Sequence, residues 1–284
     1  MRKKLLVLGA FVSVVMLVSC TGSKKEAVTY TPEEIADAGQ VVKYYDTSLA
    51  LLKNLVKERD VNAVLGYMEQ QAKVQMFSHI MSPVISKKDS AAVMQPGDYF
   101  GDDVRQNLIQ NYTELFQSRG QFYANFNKYL SLLKEKKTEG IADLLNDNYE
   151  LSVEMSECKQ NIFDILSPIV AQAQQVLLAE NPVKEQIIAM KKMSLTMQSI
   201  INLYARKHVE DKARLDLKIV ELRLQLDTAE KLPAVKGHEE QTEKFKDFLS
   251  KAEEFMKIVQ DIRQKNSYTE EDFDEISSYG LSII

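Results

Sequence analysis

The chain has 284 residues, of which 45% are hydrophobic and 27% are charged, and its formal net charge is −5. This composition is typical of a globular protein, and the acidic balance argues against binding to nucleic acid or to an anionic membrane surface by charge alone. Glycine and proline are scarce, with 10 and 6 residues. So few turn-forming residues favour a small number of long elements, and therefore helices.

The first 19 residues have the pattern of a secretory signal peptide. Three basic residues at positions 2–4 precede an apolar run over residues 5–18. The run is shorter than the roughly 20 apolar residues of a transmembrane helix. A basic start, a short apolar middle and a small residue before the cut are typical of a secretory signal.

The end of this segment, Leu17-Val18-Ser19-Cys20, resembles the lipobox of bacterial lipoproteins. The resemblance implies cleavage before Cys20, lipid on its sulfur and acylation of its new amine. The alternative is an ordinary signal peptide with a chance cysteine at the cut. Residues 20–30 would then be a lipidated tether, because they are small, polar and charged, and residues 31–284 the helical bundle domain. No acidic residue follows Cys20 directly, which favours a lipid-anchored location in the cell envelope, on the outer membrane facing the periplasm.

Helical periodicity dominates the rest of the chain. Thr31 is predicted to cap the first helix, with Pro32 at its first position and Glu34 completing a capping box. Apolar residues then recur at spacings of three and four. The first predicted helix runs to about Val56, and the second is capped by Asp60 and ended by Pro83. The third covers about 103–137, the fourth 141–179 and the fifth 182–231, and the fifth is either continuous or broken near 208–212. A sixth helix follows the loop 233–238, and a short last helix is capped by Thr269.

No segment alternates with a period of two, so no strand is predicted. The predicted fold class is all-α, an elongated antiparallel bundle of about six long helices without a sheet. The fourth helix has the cleanest periodicity, and its pattern places Ile162 and Ile165 in the core. The longest irregular stretch, residues 82–103, is predicted to be a functional or mobile loop.

Motifs for metal binding or catalysis are not found in the sequence. His79, His208 and His238 lack the Glu-x-x-His spacing of helical di-iron sites, and there is no His-Glu-x-x-His or Cys-x-x-Cys. The start Gly237-His238-Glu239-Glu240 is interpreted as a solvated helix start. We therefore predict no catalytic residue, no metal, no cofactor and no enzymatic activity.

Several further residues are weighed as sites. Asp98, Asp102 and Asp103 are compared with a calcium site, but helix capping explains Asp102 or Asp103 without a metal. Cys158 lies on an apolar face and is interpreted as a buried thiol; once Cys20 is acylated, Cys158 has no disulfide partner. Two triplets match a short acceptor pattern for O-glycosylation, and the first, predicted to lie in a loop, is favoured: Asp89-Ser90-Ala91 and Asp227-Thr228-Ala229.

Aromatic residues cluster on the third and sixth helices. The favoured interpretation is bundle core, and the alternative is a groove between helices that holds an apolar or sugar ligand. The residues concerned are Phe116, Phe122, Tyr123, Phe126 and Tyr129 on the third helix, and Phe245, Phe248 and Phe255 on the sixth.

The start of the first long helix, Val41-Val42-Lys43-Tyr44-Tyr45-Asp46, together with the lipobox and the long helices, resembles the YiiG-like bacterial lipoproteins. That resemblance implies a helical domain of unknown function and transfers no catalytic residue. The sequence thus predicts a non-enzymatic binding or scaffolding domain held at the membrane through Cys20, with a protein partner in the envelope and no nucleic acid. The alternative is a lipoprotein that carries a small ligand between its helices.

Overall fold

The computed structural model describes residues 29–70, 84–204, 212–265 and 269–280. The predicted signal peptide, the lipidation site Cys20 and most of the tether lie outside the described residues. So do His79, His208, the second half of the predicted second helix and the possible break near 208–212.

Nine α-helices and no β-strand are found in the part of the chain that is described, which confirms the all-α class. Six of them have 18 residues or more, in agreement with about six long helices. Within these ranges, no helix is both long enough and apolar enough to cross a membrane. The helices are α1 Pro32–Leu55, α2 Glu58–Glu69, α3 Lys87–Val93, α4 Asp102–Lys134, α5 Ile141–Leu177, α6 Lys184–Tyr204, α7 Lys212–Ala229, α8 Glu239–Gln264 and α9 Glu270–Ser277.

The predicted capping residues start two of these helices. The backbone N–H of Glu34 donates to Thr31 Oγ1 at 3.2 Å, and the backbone N–H of Thr31 donates to the Glu34 carboxylate at 2.7 Å. Thr269 forms the same reciprocal pair with Asp272 at the start of α9. Such boxes satisfy backbone donors that a helix start leaves unpaired, which is why the sequence located both starts correctly.

The predicted start of the second helix was wrong by three residues. Lys57 is the N-cap of α2, and Asp60 lies inside its first turn. Only two residues, Val56 and Lys57, separate α1 from α2, so α2 begins directly after α1 ends. Asp60 still stabilises the helix start, since a carboxylate in the first turn interacts favourably with the helix dipole.

The stretch 82–103 is not the long irregular loop that was predicted, because it contains helix α3. Ser86 caps α3 by accepting from the backbone N–H of Asp89 at 3.2 Å. The helix is fixed to α1 where the Tyr44 hydroxyl donates to the Val93 carbonyl at 2.7 Å. Phe100 is buried next to it and meets the Tyr44 ring edge-on, at 5.1 Å between ring centroids. The connection between α2 and α4 is thus packed onto the body wherever it is described.

Helix α5 forms a hairpin with α4 and also contacts α1, α2 and α6. Ile162 is completely buried, as predicted, but Ile165 is only partly buried and packs at the edge of the core. Beyond Ile162 the buried line moves by one position, to Phe163, Leu166 and Val170. The shift turns the buried side of α5 toward α6, which packs against α5 together with α1 and α4.

Two cores lie in the described residues. The first is built by α1–α5 and includes Leu195 of α6, and the second is built by α6–α9. The predicted aromatic clusters supply core side chains to both: Phe122, Phe126 and Tyr129 are buried in the first core, and Phe245, Phe248 and Phe255 in the second. Phe116 and Tyr123 are partly buried and pack against the first core, so the predicted aromatic residues lie in the cores or at their edge, as favoured from the sequence.

Candidate functional site

The helix α7 carries apolar side chains on two opposite faces. Its outer face exposes Leu217, Val220 and Leu224 to 70%, 57% and 61%. At 3.6 residues per turn, spacings of three and four place these side chains on one line. Single exposed apolar residues are ordinary, but a continuous row of them marks a surface for contact. The inner face packs into the second core through Leu215, Leu222, Leu226 and Ala229.

Charged residues border this outer face on both sides. Arg214 and Glu221 follow one side, and Asp216 and Arg223 follow the other. Arg214 and Asp216 are also ion-paired to the neighbouring helices α5 and α8, which orients them along the border. Each side therefore holds one positive and one negative residue, seven positions apart. We call Leu217, Val220, Leu224 and these four flanking residues the α7 face.

A second feature is a cleft where the α1–α2 connection faces α5, α6 and α9. Its volume of about 720 Å³ lies within the range of roughly 300–1,000 Å³ usual for small-molecule sites. The apolar side chains that line it come from both halves of the chain: Leu49, Leu52, Val56, Phe163, Ile201 and Phe273. We call it the junction cleft, because it lies between the elements of the first core and those of the second.

Two buried cationic side chains donate hydrogen bonds to backbone carbonyl groups at the C-terminal end of α1, beside the junction cleft. Arg119 of α4 donates through Nε to the Leu55 carbonyl at 3.0 Å, and its guanidinium lies 5.0 Å from the centre of a tyrosine ring. Lys159 of α5 donates to the Val56 carbonyl at 3.4 Å and forms an ion pair with Glu58. The last carbonyls of a helix have no partner within it, and cations there satisfy both hydrogen bonding and the helix dipole. Burial lowers the pKa of Arg119, although its neighbours Tyr123 and Asp60 oppose that shift.

Two polar atoms among the residues that line the junction cleft have no hydrogen-bond partner. They are the amide nitrogen Nδ2 of Asn202 in α6 and the hydroxyl oxygen of Ser277 in α9. The Asn202 side chain is oriented by Gln198, whose amide nitrogen donates to Asn202 Oδ1 at 3.0 Å. Buried polar groups are nearly always hydrogen-bonded, and each exception needs an explanation.

The charges that line the junction cleft are mostly positive, although the chain as a whole is acidic. Four basic residues, Lys53, Lys57, Arg59 and Lys159, outnumber the two acidic residues Glu58 and Asp60. The first three of these basic side chains belong to exposed residues. A wall of net positive charge over an apolar floor attracts anions more strongly than neutral molecules.

His238 and the three aspartates singled out from the sequence belong to neither the α7 face nor the junction cleft. His238 is the N-cap residue of α8, without a capping bond from its side chain, which agrees with a simple helix start. Asp98 and Asp102 pair with Arg105 at 2.8 and 3.4 Å, and Asp102 and Asp103 lie in the first turn of α4 behind the N-cap Gly101. Within the described ranges, no group of three or more His, Cys, Asp or Glu side chains is placed to hold a metal ion.

Cys158 is buried among the core residues of α5. Burial, reinforced by nearby carboxylates of which Glu114 is the first, raises the pKa of its thiol to about 12. The thiolate is the nucleophilic form of cysteine, so this thiol is held in its unreactive protonated state.

The two glycosylation triplets both lie on helices. Asp89-Ser90-Ala91 is part of α3, and the Ser90 hydroxyl donates to the Ser86 carbonyl at 2.9 Å. Asp227-Thr228-Ala229 ends α7, and the Thr228 hydroxyl donates to the Leu224 carbonyl at 2.7 Å. The expectation that the first triplet lies in a loop was therefore wrong, because a capped helix forms there.

Neither the α7 face nor the junction cleft was predicted from the sequence. The α7 face had a signal, since Leu217, Val220 and Leu224 repeat at three and four beside the inner line. The junction cleft had none, because it combines residues more than 200 positions apart.

Two family models match adjacent parts of the chain. Residues 32–180 match a domain of unknown function, DUF6845, and residues 182–284 match the DUF3829-like C-terminal domain. Their border at Asn181 falls between α5 and α6 and thus close to the border between the two cores. Neither family is described as YiiG-like. No curated protein matches the chain.

Solved structures from two Bacteroides species are similar to the chain over almost their whole lengths. An alpha helical protein from Bacteroides fragilis NCTC 9343 is 53% identical, with a TM-score of 0.82, and the match covers 88% of this chain and 98% of that one. An uncharacterized DUF3829-like protein from Bacteroides thetaiotaomicron VPI-5482 is 49% identical, with a TM-score of 0.77, over 89% and 100%. The chain therefore belongs to the DUF3829-like family of helical proteins, and its N-terminal half is a DUF6845 domain.

Proposed function

We propose that this protein is a lipid-anchored scaffold of the bacterial cell envelope, whose helical body binds another protein without catalysing a reaction. The α7 face carries the proposal, because a row of three exposed apolar side chains is otherwise unfavourable on a protein surface. The lipobox pattern at Cys20 supports the envelope location.

The occupant that best fits the α7 face is the same face of a second copy. In an antiparallel pair centred between Lys218 and Ile219, Leu217 lies opposite Val220 of the other copy. The same register brings Ala213 opposite Leu224, which is a small residue against a large one. Apolar residues at spacings of three and four are the pattern of paired helices.

The flanking charges fit the same register. In an antiparallel pair of helices, residues on one border meet the same border of the partner. Arg214 then faces Glu221 of the second copy, and Asp216 faces its Arg223. Arg214, Asp216 and Glu221 already form ion pairs within one copy, with Asp164, Arg263 and Lys218 respectively. The contacts between copies therefore extend these pairs, and opposite charges on both borders would set the orientation of the two helices.

The lipid anchor and the α7 face act together in this scheme. An interface of three apolar side chains for each copy is smaller than the roughly 1,200–2,000 Å² buried in stable complexes, so free copies would associate weakly. Anchoring both copies in one membrane raises their effective concentration and makes a weak contact sufficient.

Leu224→Glu should abolish this self-association. The substitution puts a carboxylate in the apolar row, and we expect the dissociation constant to rise at least tenfold, which corresponds to about 1.4 kcal/mol. Sedimentation equilibrium of the full chain in density-matched detergent measures the change. Val84→Glu is the matched control, since Val84 is 95% exposed and lies far from α7 in sequence. A wild-type chain that stays monomeric at high concentration, or equal weakening by both variants, contradicts the proposal.

Cys20→Ala should release the protein from membranes. Without the sulfur no thioether lipid can form, and acyl chains supply the membrane affinity at about 0.8 kcal/mol per buried CH₂ group. Growth with a clickable fatty acid, followed by membrane fractionation, measures both labelling and release. Cys158→Ala is the control and should change neither. Persistent labelling of Cys20→Ala would exclude lipidation at this residue.

A further inference from the structure

Two residues that line the junction cleft carry buried polar atoms without a hydrogen-bond partner. Asn202 and Ser277 belong to two different helices, α6 and α9, and both line the same cleft. A buried donor without an acceptor destabilises the folded protein. That cost is removed when an oxygen atom of a bound molecule accepts from the amide nitrogen of Asn202 and from the Ser277 hydroxyl.

A third donor comes from the other side of the cleft. The ammonium group of Lys159 has three N–H bonds, and its acceptors are the Glu58 carboxylate and the Val56 carbonyl. One N–H is left for another acceptor. Three donors, one each from α5, α6 and α9, therefore belong to residues that line one cleft.

The charge of the walls selects the kind of molecule. Lys53, Lys57 and Arg59 stand on the exposed side of the cleft, and Glu58 is already occupied by Lys159. An oxygen that accepts hydrogen bonds in such a field is best provided by an acid group. A neutral sugar would offer hydroxyl groups but would gain nothing from the cations.

The rest of the lining is apolar and requires an apolar counterpart. Leu52, Phe163 and Ile201 form part of it, and Phe273 of α9 faces them from the second core. Removing apolar surface from water is favourable. A bare inorganic ion leaves these side chains uncovered and therefore cannot use most of the cleft.

We propose that the junction cleft binds a small amphiphilic anion, with its acid group at Lys159, Asn202 and Ser277 and its apolar part on Phe163, Ile201 and Phe273. The site is separate from the α7 face and does not depend on self-association. Since α9 supplies one wall and the α1–α2 connection another, the ligand joins the two halves of the chain.

Calorimetric titration of the full chain with octanoate tests the proposal. We expect saturable binding of octanoate, at least tenfold weaker binding of octan-1-ol, which lacks the charge, and at least tenfold weaker binding of inorganic phosphate, which lacks the apolar part. Raising the salt concentration should weaken octanoate binding, because the cations of the rim are exposed. Equal affinity for octanoate and octan-1-ol, or no binding of octanoate, overturns the proposal.

The substitution Asn202→Asp provides the matched test of the site. It keeps the shape of the side chain, replaces the unpartnered donor with a negative charge, and should weaken octanoate binding at least tenfold. Asn125→Asp is the control, because Asn125 also has an unpartnered amide nitrogen and also accepts from a glutamine four residues earlier, but it lies on α4 outside the cleft. Equal weakening by both variants would refute a site at Asn202.

Ser277→Ala is a second test of the site, and it is not expected to unfold the protein. Removing a hydroxyl that has no partner should not lower the melting temperature and should still weaken octanoate binding about threefold to tenfold. Unchanged affinity in Ser277→Ala together with unchanged affinity in Asn202→Asp would place octanoate elsewhere and overturn the proposal.

Discussion

Ile162→Asp is expected to unfold the protein. Ile162 is completely buried in the first core, in the middle of α5. The substitution removes an apolar side chain, which costs about 2–5 kcal/mol by itself, and places a carboxylate in an apolar interior, which adds a further cost. We expect a total loss above about 5 kcal/mol, against a typical stability of about 5–15 kcal/mol for a whole domain.

The matched control is Ile165→Asp, three residues further along the same helix. Ile165 is only partly buried, so its new carboxylate can reach water, and we expect a loss of about 1–2 kcal/mol. Chemical unfolding of both variants, followed by circular dichroism, measures the difference. Equal losses for the two variants would show that the buried line of α5 does not shift beyond Ile162.

This pair of variants also marks the limit of what the sequence predicted about the core. Strict spacing of three and four along α5 treats Ile162 and Ile165 alike. The difference in burial between these two residues depends on the packing of α6 against α5. The sequence pattern of α5 does not show on which side α6 packs. Periodicity thus identified the helix correctly, while the packing of a neighbour decided which residues are innermost.

Helix ends were predictable where side chains satisfy the end locally. Thr31 and Thr269 were correctly predicted as caps, and each forms a capping box with the residue three positions further on. The start of α3 uses the same chemistry, since Ser86 accepts from Asp89, but the helix has only seven residues. So short a helix has little stability of its own, and its contact with Tyr44 across 49 positions holds it in place. That contact could not be inferred from the sequence.

The two candidate sites differ in the same way. The α7 face is a property of one helix, and its spacing is visible in the sequence once two apolar lines are allowed on one helix. The junction cleft requires the positions of α1, α5, α6 and α9 at once. Lys159 is not part of the apolar repeat of α5, so the sequence did not indicate that its side chain is buried.

Glu58→Ala should destabilise the protein by about 3–5 kcal/mol, because it leaves the ammonium group of Lys159 buried without its carboxylate. The lysine side chain is 9% exposed and the glutamate side chain 17%. Water therefore screens this pair far less than it screens a pair on the surface. Thermal and chemical unfolding of the full chain measure the loss.

The control is a pair of the same two residue types on the surface. Lys244 and Glu240 are 2.7 Å apart on α8, with side chains 69% and 76% exposed. Exposed pairs of this kind contribute about 0.2–1 kcal/mol, so Glu240→Ala should have little effect. A similar loss for Glu58→Ala and Glu240→Ala would mean that Lys159 reaches water in the folded protein.

The double variant Glu58→Leu with Lys159→Met separates the cost of an unpaired charge from the value of the pair. Removing both charges avoids the burial of either one alone, and buried ion pairs replaced by apolar residues are often neutral or stabilising. We expect the double variant to lose less than half of what Glu58→Ala loses, although the Val56 carbonyl gives up its contact with Lys159. If the double variant instead loses as much as the single one, the pair itself stabilises the end of α1, and Arg119 at the Leu55 carbonyl does not suffice to close that helix.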